Sequence, residues 1–377
     1  MNWEEVQKNY PVNQEWIWMN NCGTTPIGTH VLKRLSLYWE GYSRKGIFSE
    51  VESFAVTKSA ILRILSKLLD VKESELALIH NTSEGMNFLS RGVDLKSGDE
   101  ILLLEDEYPS NVYPWEHWKS KGVSIEFLAS GQTPEECLSN FQSKISSKTK
   151  LVSLSAVHWC TGLPLPIREI SEICKEKGIF FFLDGAQGVG QIPIHLSEIH
   201  ADGMAFPAWK WLLGPLGLGV LYIRESSLQK IHPIFKGTDS VRDSINYFPY
   251  RDEWKDGTSR FEFSTPSFQD WVYFRASLEY LEEIGFSNVR NRIHELVDDL
   301  RSRLEDLGMN CFPGQGVRSG ILVAGKQGYS STQIVGFLKE NGIITADRLG
   351  GVRFSPHIYN SSFQMELIHK KLKSLLK

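Results

Sequence analysis

The chain has 377 residues, with 41 Lys+Arg against 45 Asp+Glu and 41% hydrophobic residues, a length for two domains or for one large domain with a smaller partner. A net charge of −4 gives no electrostatic reason to expect nucleic acid, and no run reaches the roughly 18 consecutive apolar residues of a membrane span. Five scattered cysteines (Cys22, Cys137, Cys160, Cys174, Cys311) without CxxC spacing, and an acidic start (Met1-Asn-Trp-Glu-Glu) without an apolar stretch, lead us to expect a reduced, cytoplasmic protein with no disulfide framework, metal site or signal peptide.

From about Ala60 to about Ile223, short apolar runs alternate with amphipathic stretches. The pattern predicts strands at Leu76–His80, Ile101–Leu104, Ser124–Leu128, Leu151–Val157, Ile179–Leu183, Gly203–Phe206 and Val220–Ile223. Helices are predicted between them at Ser83–Arg91, Asn111–Lys121, Pro134–Lys144 and Ile167–Lys177. Runs such as Ile179-Phe-Phe-Phe-Leu183 are apolar on both faces, as in strands covered by helices on each side. The alternation therefore predicts an α/β fold with an open, mostly parallel sheet. The polar, aromatic stretch from about Lys236 to Arg260 reads as a long functional loop lining a substrate pocket or a subunit seam. Beyond it the pattern predicts helices at Trp271–Ile284, Val289–Leu307, Ser331–Asn341 and Phe363–Leu376, with strands at Gly320–Ala324 and Val352–Ser355. We accordingly expect an N-terminal segment (1–30) packing near a smaller α+β domain (271–377), and a larger α/β domain between them (31–270).

Ligands of such sheets bind beyond the carboxyl ends of the strands, so the residues there carry the functional argument. Asp184 follows a buried apolar run, which is costly unless a cation or donor meets it; the bland alternative is a carboxylate capping the next turn. Lys210 stands between Trp209 and Trp211 in an apolar segment. Desolvation there would free the amine for Schiff-base chemistry, against the alternative of a lysine stem lying along indole with its ammonium in water. The glycines Gly214, Gly217 and Gly219 open no helix, which argues against a nicotinamide or flavin site. Thr82 and Ser83 lie between a strand and a helix, as in a phosphate cradle or a plain helix cap. Tyr108 is placed to cover a flat ligand or simply to pack. Together these features call for one ligand that is phosphorylated, planar, cationic at one ring atom and reactive toward an amine: pyridoxal 5′-phosphate.

With these motifs, and with Met19-Asn-Asn-Cys-Gly-Thr-Thr-Pro26 near the start, the sequence resembles the class V aminotransferases over most of its length. These are fold-type-I pyridoxal-phosphate enzymes that include cysteine desulfurases, kynureninase and isopenicillin N epimerase-like proteins. The resemblance implies a Schiff base on Lys210, Asp184 against the pyridine nitrogen and Gln187 on the phenolic oxygen. It further implies Thr82 and Ser83 at the phosphate and Tyr108 stacked on the ring, where desulfurases have a histidine. Arg260-Phe-Glu-Phe-Ser-Thr265 is similar to the segment whose threonine reaches the neighbouring subunit's phosphate, implying a homodimer with shared active sites. Val352-Arg353-Phe-Ser-Pro-His-Ile-Tyr-Asn360 is similar to the carboxylate-binding segment, implying that Arg353 holds an amino-acid substrate.

Three departures qualify the resemblance. Pro207 and Trp209 replace a serine and a histidine that often assist the phosphate; an indole N–H can still donate, but proline cannot. Trp159 stands where desulfurases carry an asparagine, with His158 beside it, and either is open to face the ligand. The stretch Thr345-Ala-Asp-Arg-Leu-Gly-Gly-Val-Arg353 lacks the desulfurase cysteine, and Cys311 reads as a buried structural thiol. The expectation is an aminotransferase, with β-elimination (a C–S lyase) or epimerisation as the alternative and a non-catalytic relative as a further one.

Overall fold

The computed structural model describes residues 1–49 and 53–376. In chain order its elements are α1 (Trp3–Lys8), β1 (Ile17–Trp18), α2 (Thr29–Lys45), α3 (Phe54–Leu69), β2 (Leu76–Ile79), α4 (Thr82–Gly92), β3 (Glu100–Leu104), β4 (Ser124–Leu128), α5 (Pro134–Lys144), β5 (Thr149–Ser155), α6 (Ile167–Lys177), β6 (Phe180–Asp184), β7 (Gly203–Pro207) and β8 (Gly219–Ile223). After a long loop come α7 (Phe268–Ile284), α8 (Phe286–Asp306), β9 (Asn310–Phe312), β10 (Leu322–Gly325), α9 (Ser331–Glu340), β11 (Ile343–Ile344), β12 (Ala346–Arg348), β13 (Gly351–Phe354) and α10 (Ser362–Leu375).

Seven strands form one sheet in the order β2-β8-β7-β6-β5-β3-β4. The β3, β4, β5, β6 and β7 pairs are parallel, and β8 runs antiparallel between β7 and β2. The fold is thus α/β with a mostly parallel central sheet, and β2, β3, β5, β6 and β7 end on one edge. Apolar clusters cover both sheet faces: one includes Ile61, Leu65, Phe181 and Phe274, the other Phe88, Leu89, Trp115 and Phe182. A second, antiparallel sheet, β12-β13-β10-β9, shares a third core with α8, α9 and α10 through Leu300, Ile334, Phe354 and Ile368. The N-terminal segment is stitched to this part of the chain: β1 pairs in parallel with β11, and Asn20 bridges Ser355.

Helix α4 is held close to the sheet by a missing side chain. A Cβ on Gly85 would lie 2.5 Å from the Ala205 Cβ and 2.8 Å from the Ile79 Cδ1, so any larger residue would lift the helix off β2 and β7 at a cost of about 1–3 kcal/mol. Asn81 caps this helix by accepting from Glu84 N (2.9 Å).

Three sequence expectations need correction. The stretch predicted as a helix at Asn111–Lys121 is a 3₁₀ segment, Tyr113–Lys121, with Pro114 in its first turn. Trp115 and Trp118 are both buried, and a spacing of three suits a three-residue turn. Helices α2 and α3 precede and overlap the predicted start of the α/β pattern at Ala60. Helix α2 is amphipathic and packs along α7, but only Val31 and Tyr38 are fully buried, and the apolar Leu32, Leu37, Trp39 and Tyr42 are exposed. For the loop 236–260 only the pocket half of the expectation is corrected: none of its residues lines the cleft containing Lys210 in its own chain, and Tyr247, Phe248 and Tyr250 are exposed.

Two histidines are held as neutral rings, His30 half-buried and His357 in the interior. His30 stacks on Tyr280 with neither nitrogen partnered, and burial pushes its pKa down to about 4. His357, fully enclosed against Trp211 and Tyr359, is pushed down by burial to about 3, with Nδ1 unpartnered. In the unfolded chain both rings take a proton near pH 6.5. The stability they contribute is therefore complete above about pH 6.5 and is lost as pH falls toward 4 and then 3. The melting temperature should decline from pH 7 to pH 4, and His357→Phe should make that decline shallower; an unchanged slope in the variant would refute this assignment.

Candidate active site

The carboxyl ends of the sheet strands enclose a cleft of about 570 Å³. Its lining contains eight of the nine residues singled out from the sequence: Thr82, Ser83, Tyr108, Asp184, Gln187, Trp209, Lys210 and Arg353. The ninth, Thr265, lies in a separate groove with Tyr38, Trp39 and Phe54. Sequence reasoning left out Cys22, Ser110 and Arg348, which also line the cleft. The N-terminal motif containing Cys22 was the available signal for the first. For Arg348 it was the short spacing to Arg353.

Asp184 is the last residue of β6, within the strand rather than after it, and is 2% exposed. One carboxylate oxygen accepts from Ala186 N (2.8 Å), and no other hydrogen bond reaches the side chain among the described residues. Acceptor capacity is left toward the cleft. Burial, reinforced by the nearby Glu107 carboxylate, pushes its pKa up to about 7 against the opposing pull of Lys210 and the bond from Ala186. Glu107 is itself held by Tyr108 N (2.8 Å), Ser155 N (2.9 Å), Asn111 Nδ2 (3.2 Å) and the Ser155 hydroxyl. Since Ser155 pairs with Asp184 across β5 and β6, this carboxylate ties the Tyr108 loop to the strand beside Asp184.

Lys210 follows β7 by three residues, and its Nζ lies 5.6 Å from the centre of the Tyr108 ring. Burial lowers its pKa; Asp184 and Cys22 oppose the effect, and Arg353 adds to it. Gln187 is fixed on both sides: its Nε2 donates to Cys22 O (3.0 Å) and its Oε1 accepts from Trp211 Nε1 (3.0 Å). The donor set for an anion sits at the start of α4, where the N–H groups of Thr82 and Ser83 have no acceptor among the described residues. Ser83 Oγ lies 2.7 Å from Ser110 Oγ, and the indole N–H of Trp209 likewise has no acceptor among the described residues.

Of the two residues after β5, Trp159 lines the cleft, meets Tyr108 edge-to-face at 5.4 Å and donates to Asp106 O (2.8 Å). His158 turns away from the cleft. Its Nδ1 accepts from Thr161 N (3.2 Å), and its Nε2 lies 3.2 Å from the Asp106 carboxylate. Burial opposes charge on this ring, but Asp106 prevails and holds its pKa above the ordinary value. Arg353, 3% exposed on β13, donates to Trp159 O (2.7 Å) while its Nε has no partner. The N-terminal segment completes the wall: Cys22 N donates to Ser355 Oγ (3.0 Å), and Ser355 N to Met19 O (2.7 Å).

A buried carboxylate with free acceptor capacity, an amine of lowered pKa, a helix start with open N–H groups and an unpartnered guanidinium nitrogen fit pyridoxal phosphate and a carboxylate-bearing substrate. Sheet and cleft together define a fold-type-I pyridoxal-phosphate enzyme. The chain belongs to the aminotransferase class-V family, whose description matches residues 17–362. A probable cysteine desulfurase of Pyrococcus abyssi is 26% identical over 99% of this chain and 98% of its own. The solved apo structure of a cysteine desulfurase from Thermococcus onnurineus NA1 superposes with a TM-score of 0.88 at 25% identity, covering 99% of this chain and 98% of that one. At 22% identity, the cystine C–S lyase C-DES in complex with its product cysteine persulfide shares the fold, with a TM-score of 0.89 over 96% of this chain and 98% of its own.

The lowered pKa of Lys210 leaves more of it as free amine at neutral pH than an ordinary lysine has. Trinitrobenzenesulfonate at pH 8 should therefore label Lys210 first in cofactor-free protein, as a fast phase absent from Lys210→Ala. A fast phase that survives the substitution would show that the amine is not activated.

Proposed function

We propose that the chain acts at the Cα of an amino acid through Lys210 and that its reaction is transamination. The observation that supports this reading is the inventory of bases in the cleft. Lys210 is the only amine among the lining residues; Cys22 is the one thiol there, and the segment 345–353 carries none. A single base that can carry a proton from Cα across the substrate nitrogen to the cofactor carbon on the same face would suffice for transamination, whereas epimerisation needs a second acid on the opposite face.

When bound, pyridoxal phosphate supplies a cationic ring that accepts the electron pair released at Cα. The chain's residues do the rest. Thr82 and Ser83 hold the phosphate, with Trp209 donating where relatives have histidine. Asp184 keeps the ring nitrogen protonated; an adjacent cation lowers the carboxyl pKa from about 7 and holds it ionised at neutral pH. Gln187 Nε2 gives one proton to Cys22 O and keeps the other for the phenolic oxygen. Tyr108 covers one ring face. Arg353 pairs with the substrate carboxylate and turns the Cα–H bond toward the Lys210 amine, which takes the proton.

β-Elimination is the second reading. It starts from the same proton abstraction, and the fold shared with a cystine C–S lyase keeps it in view. The proposal also includes a homodimer with shared sites in the cytoplasm. Its support is Thr265 in a groove with Trp39 (46% exposed) and Phe54 (45% exposed), outside its own cleft, and five free cysteines.

Incubation with single amino acids should yield keto acid only when pyruvate or 2-oxoglutarate is added as acceptor. Ammonia and keto acid formed without an acceptor would replace transamination by elimination. Borohydride reduction should fix the cofactor on Lys210, as read by peptide mass. Lys210→Ala should lose that adduct and lower turnover by about 10²–10⁴-fold or more; protein that stays colourless with added cofactor would sink the enzyme reading.

In sedimentation the protein should run at twice the chain mass, and Thr265→Ala should weaken cofactor binding. A monomer with full cofactor affinity would refute the shared site.

A further inference from the structure

The function proposed above employs one arginine, yet the cleft contains two. Arg348 ends β12 and lines the same cavity as Arg353. In the β12–β13 hairpin Ala346 lies opposite Arg353, and Arg348 opposite Gly351. Residues directly opposite project to the same side, as do residues two apart on one strand. Arg348 and Arg353 therefore leave the same face of the hairpin as diagonal neighbours, with Cβ atoms about 7–8 Å apart or somewhat less.

The hairpin fixes this spacing with a tight turn. Leu349 and Gly350 both have positive φ, 48° and 80°, as in a type I′ turn. Leucine is costly in that region, by about 1–2 kcal/mol, and at 73% exposure Leu349 gains little packing in return. Strain of this kind persists where the surrounding structure over-determines the backbone.

Arg348 also lacks a neutralising carboxylate. The adjacent Asp347 is taken by Ser331 Oγ (2.8 Å) and Thr332 Oγ1 (2.6 Å) at the start of α9. Arg348 Nη1 donates to Asp347 O (2.6 Å), which orients the guanidinium without cancelling its charge. Neither Arg348 nor Arg353 forms an ion pair among the described residues. Of the nearby acids, Asp184 lies at the sheet edge and Asp106 is paired with His158. The hairpin side of the cleft thus presents two uncompensated cations on one face, and a substrate carboxylate on Arg353 satisfies only one of them.

We infer that Arg348 is a second anion-binding group of the substrate site, and that the substrate is an amino acid bearing a second anionic group, carboxylate or oxidised sulfur, at the end of a short side chain. This rests on the amino-acid chemistry proposed above and adds the identity of the side chain.

The test compares pairs that differ in charge and hardly in shape: L-glutamate with L-glutamine, and L-aspartate with L-asparagine. Binding to the cofactor-loaded protein is read by calorimetry and by the change in cofactor absorbance, and turnover separately with a keto-acid acceptor. A hydrogen bond to a charged group is worth about 1.5–3 kcal/mol, so the anionic member of at least one pair should bind about tenfold tighter or more. Arg348→Gln should bring that ratio close to one, and Arg348→Lys should restore part of it. Arg353→Gln should weaken both members of each pair together. L-cysteine sulfinate against L-aspartate then separates oxidised sulfur from carboxylate. Equal affinity of the unaltered protein for charged and neutral partners, or an undiminished preference in Arg348→Gln, would overturn the inference. Preferential binding without turnover of any amino acid would leave it standing and overturn the reaction proposed above.

Discussion

The site depends on a carboxylate placed where little water reaches it. Asp184 closes a strand whose two faces are covered by apolar clusters, so its charge has little solvent to stabilise it. Glu107, also buried, adds a second carboxylate to the same region and raises the cost of ionising Asp184. The chain supplies Asp184 with a single N–H donor and the field of a lysine that is itself reluctant to be charged. Two groups with pKa values moved toward each other from opposite ends of the scale are poised for a ligand that brings its own cation. Such an arrangement is expensive for a site of structure alone, and it accounts for the concentration of hydrogen bonds around Glu107: with four donors it can stay buried and still anchor the loop of Tyr108.

Around this centre the cleft is assembled from parts of the chain that are remote in sequence. The sheet contributes the ends of β2, β3, β5, β6 and β7. The antiparallel sheet contributes the two arginines on one hairpin. The N-terminal segment joins them, because residues 19–22 bond to Ser355 on one side and to Gln187 on the other. Cys22 therefore sits between the strand ends that carry the chemistry and the hairpin that carries the cations. A disturbance of Ser355 or Asn20 would be felt at Gln187 without either residue touching a ligand.

Much of this was legible in the sequence because the signals were strong and local. Alternation of apolar runs with amphipathic stretches located all seven strands of the large sheet, and the rule about strand carboxyl ends directed attention to Thr82, Tyr108, Asp184 and Lys210. Helix α2 escaped because its stripe is masked: only Val31 and Tyr38 are fully buried, while Leu32, Leu37, Trp39 and Tyr42 are exposed. The 3₁₀ segment around Trp115 was read as a helix because three- and four-residue spacings overlap over so short a run. Choosing between His158 and Trp159 required tertiary information, since the choice is made by Asp106, some fifty positions earlier. Arg348 was missed for a related reason: sequence distance does not reveal that a tight turn folds it back beside Arg353.

The two halves of the cleft differ in what they can vary. Asp184 ends a buried strand, and Gln187 and Lys210 each follow one by three residues, with Gln187 pinned between Cys22 O and Trp211 Nε1. The hairpin of β12 and β13 is exposed at its turn, carries its cations on one face and is bonded to the rest of the cleft mainly through Trp159 O and Ser355. Side-chain replacement at Arg348 leaves the sheet and the base untouched while changing the charge that a substrate side chain meets. Pro207 and Trp209 show the same division from the other side. They depart from the usual phosphate contacts at a strand end, yet the open N–H groups of α4 remain, because Gly85 and Asn81 seat the helix independently of either residue. The residues at the strand ends and the two arginines of the hairpin are thus held by largely separate sets of contacts, although they face one cleft.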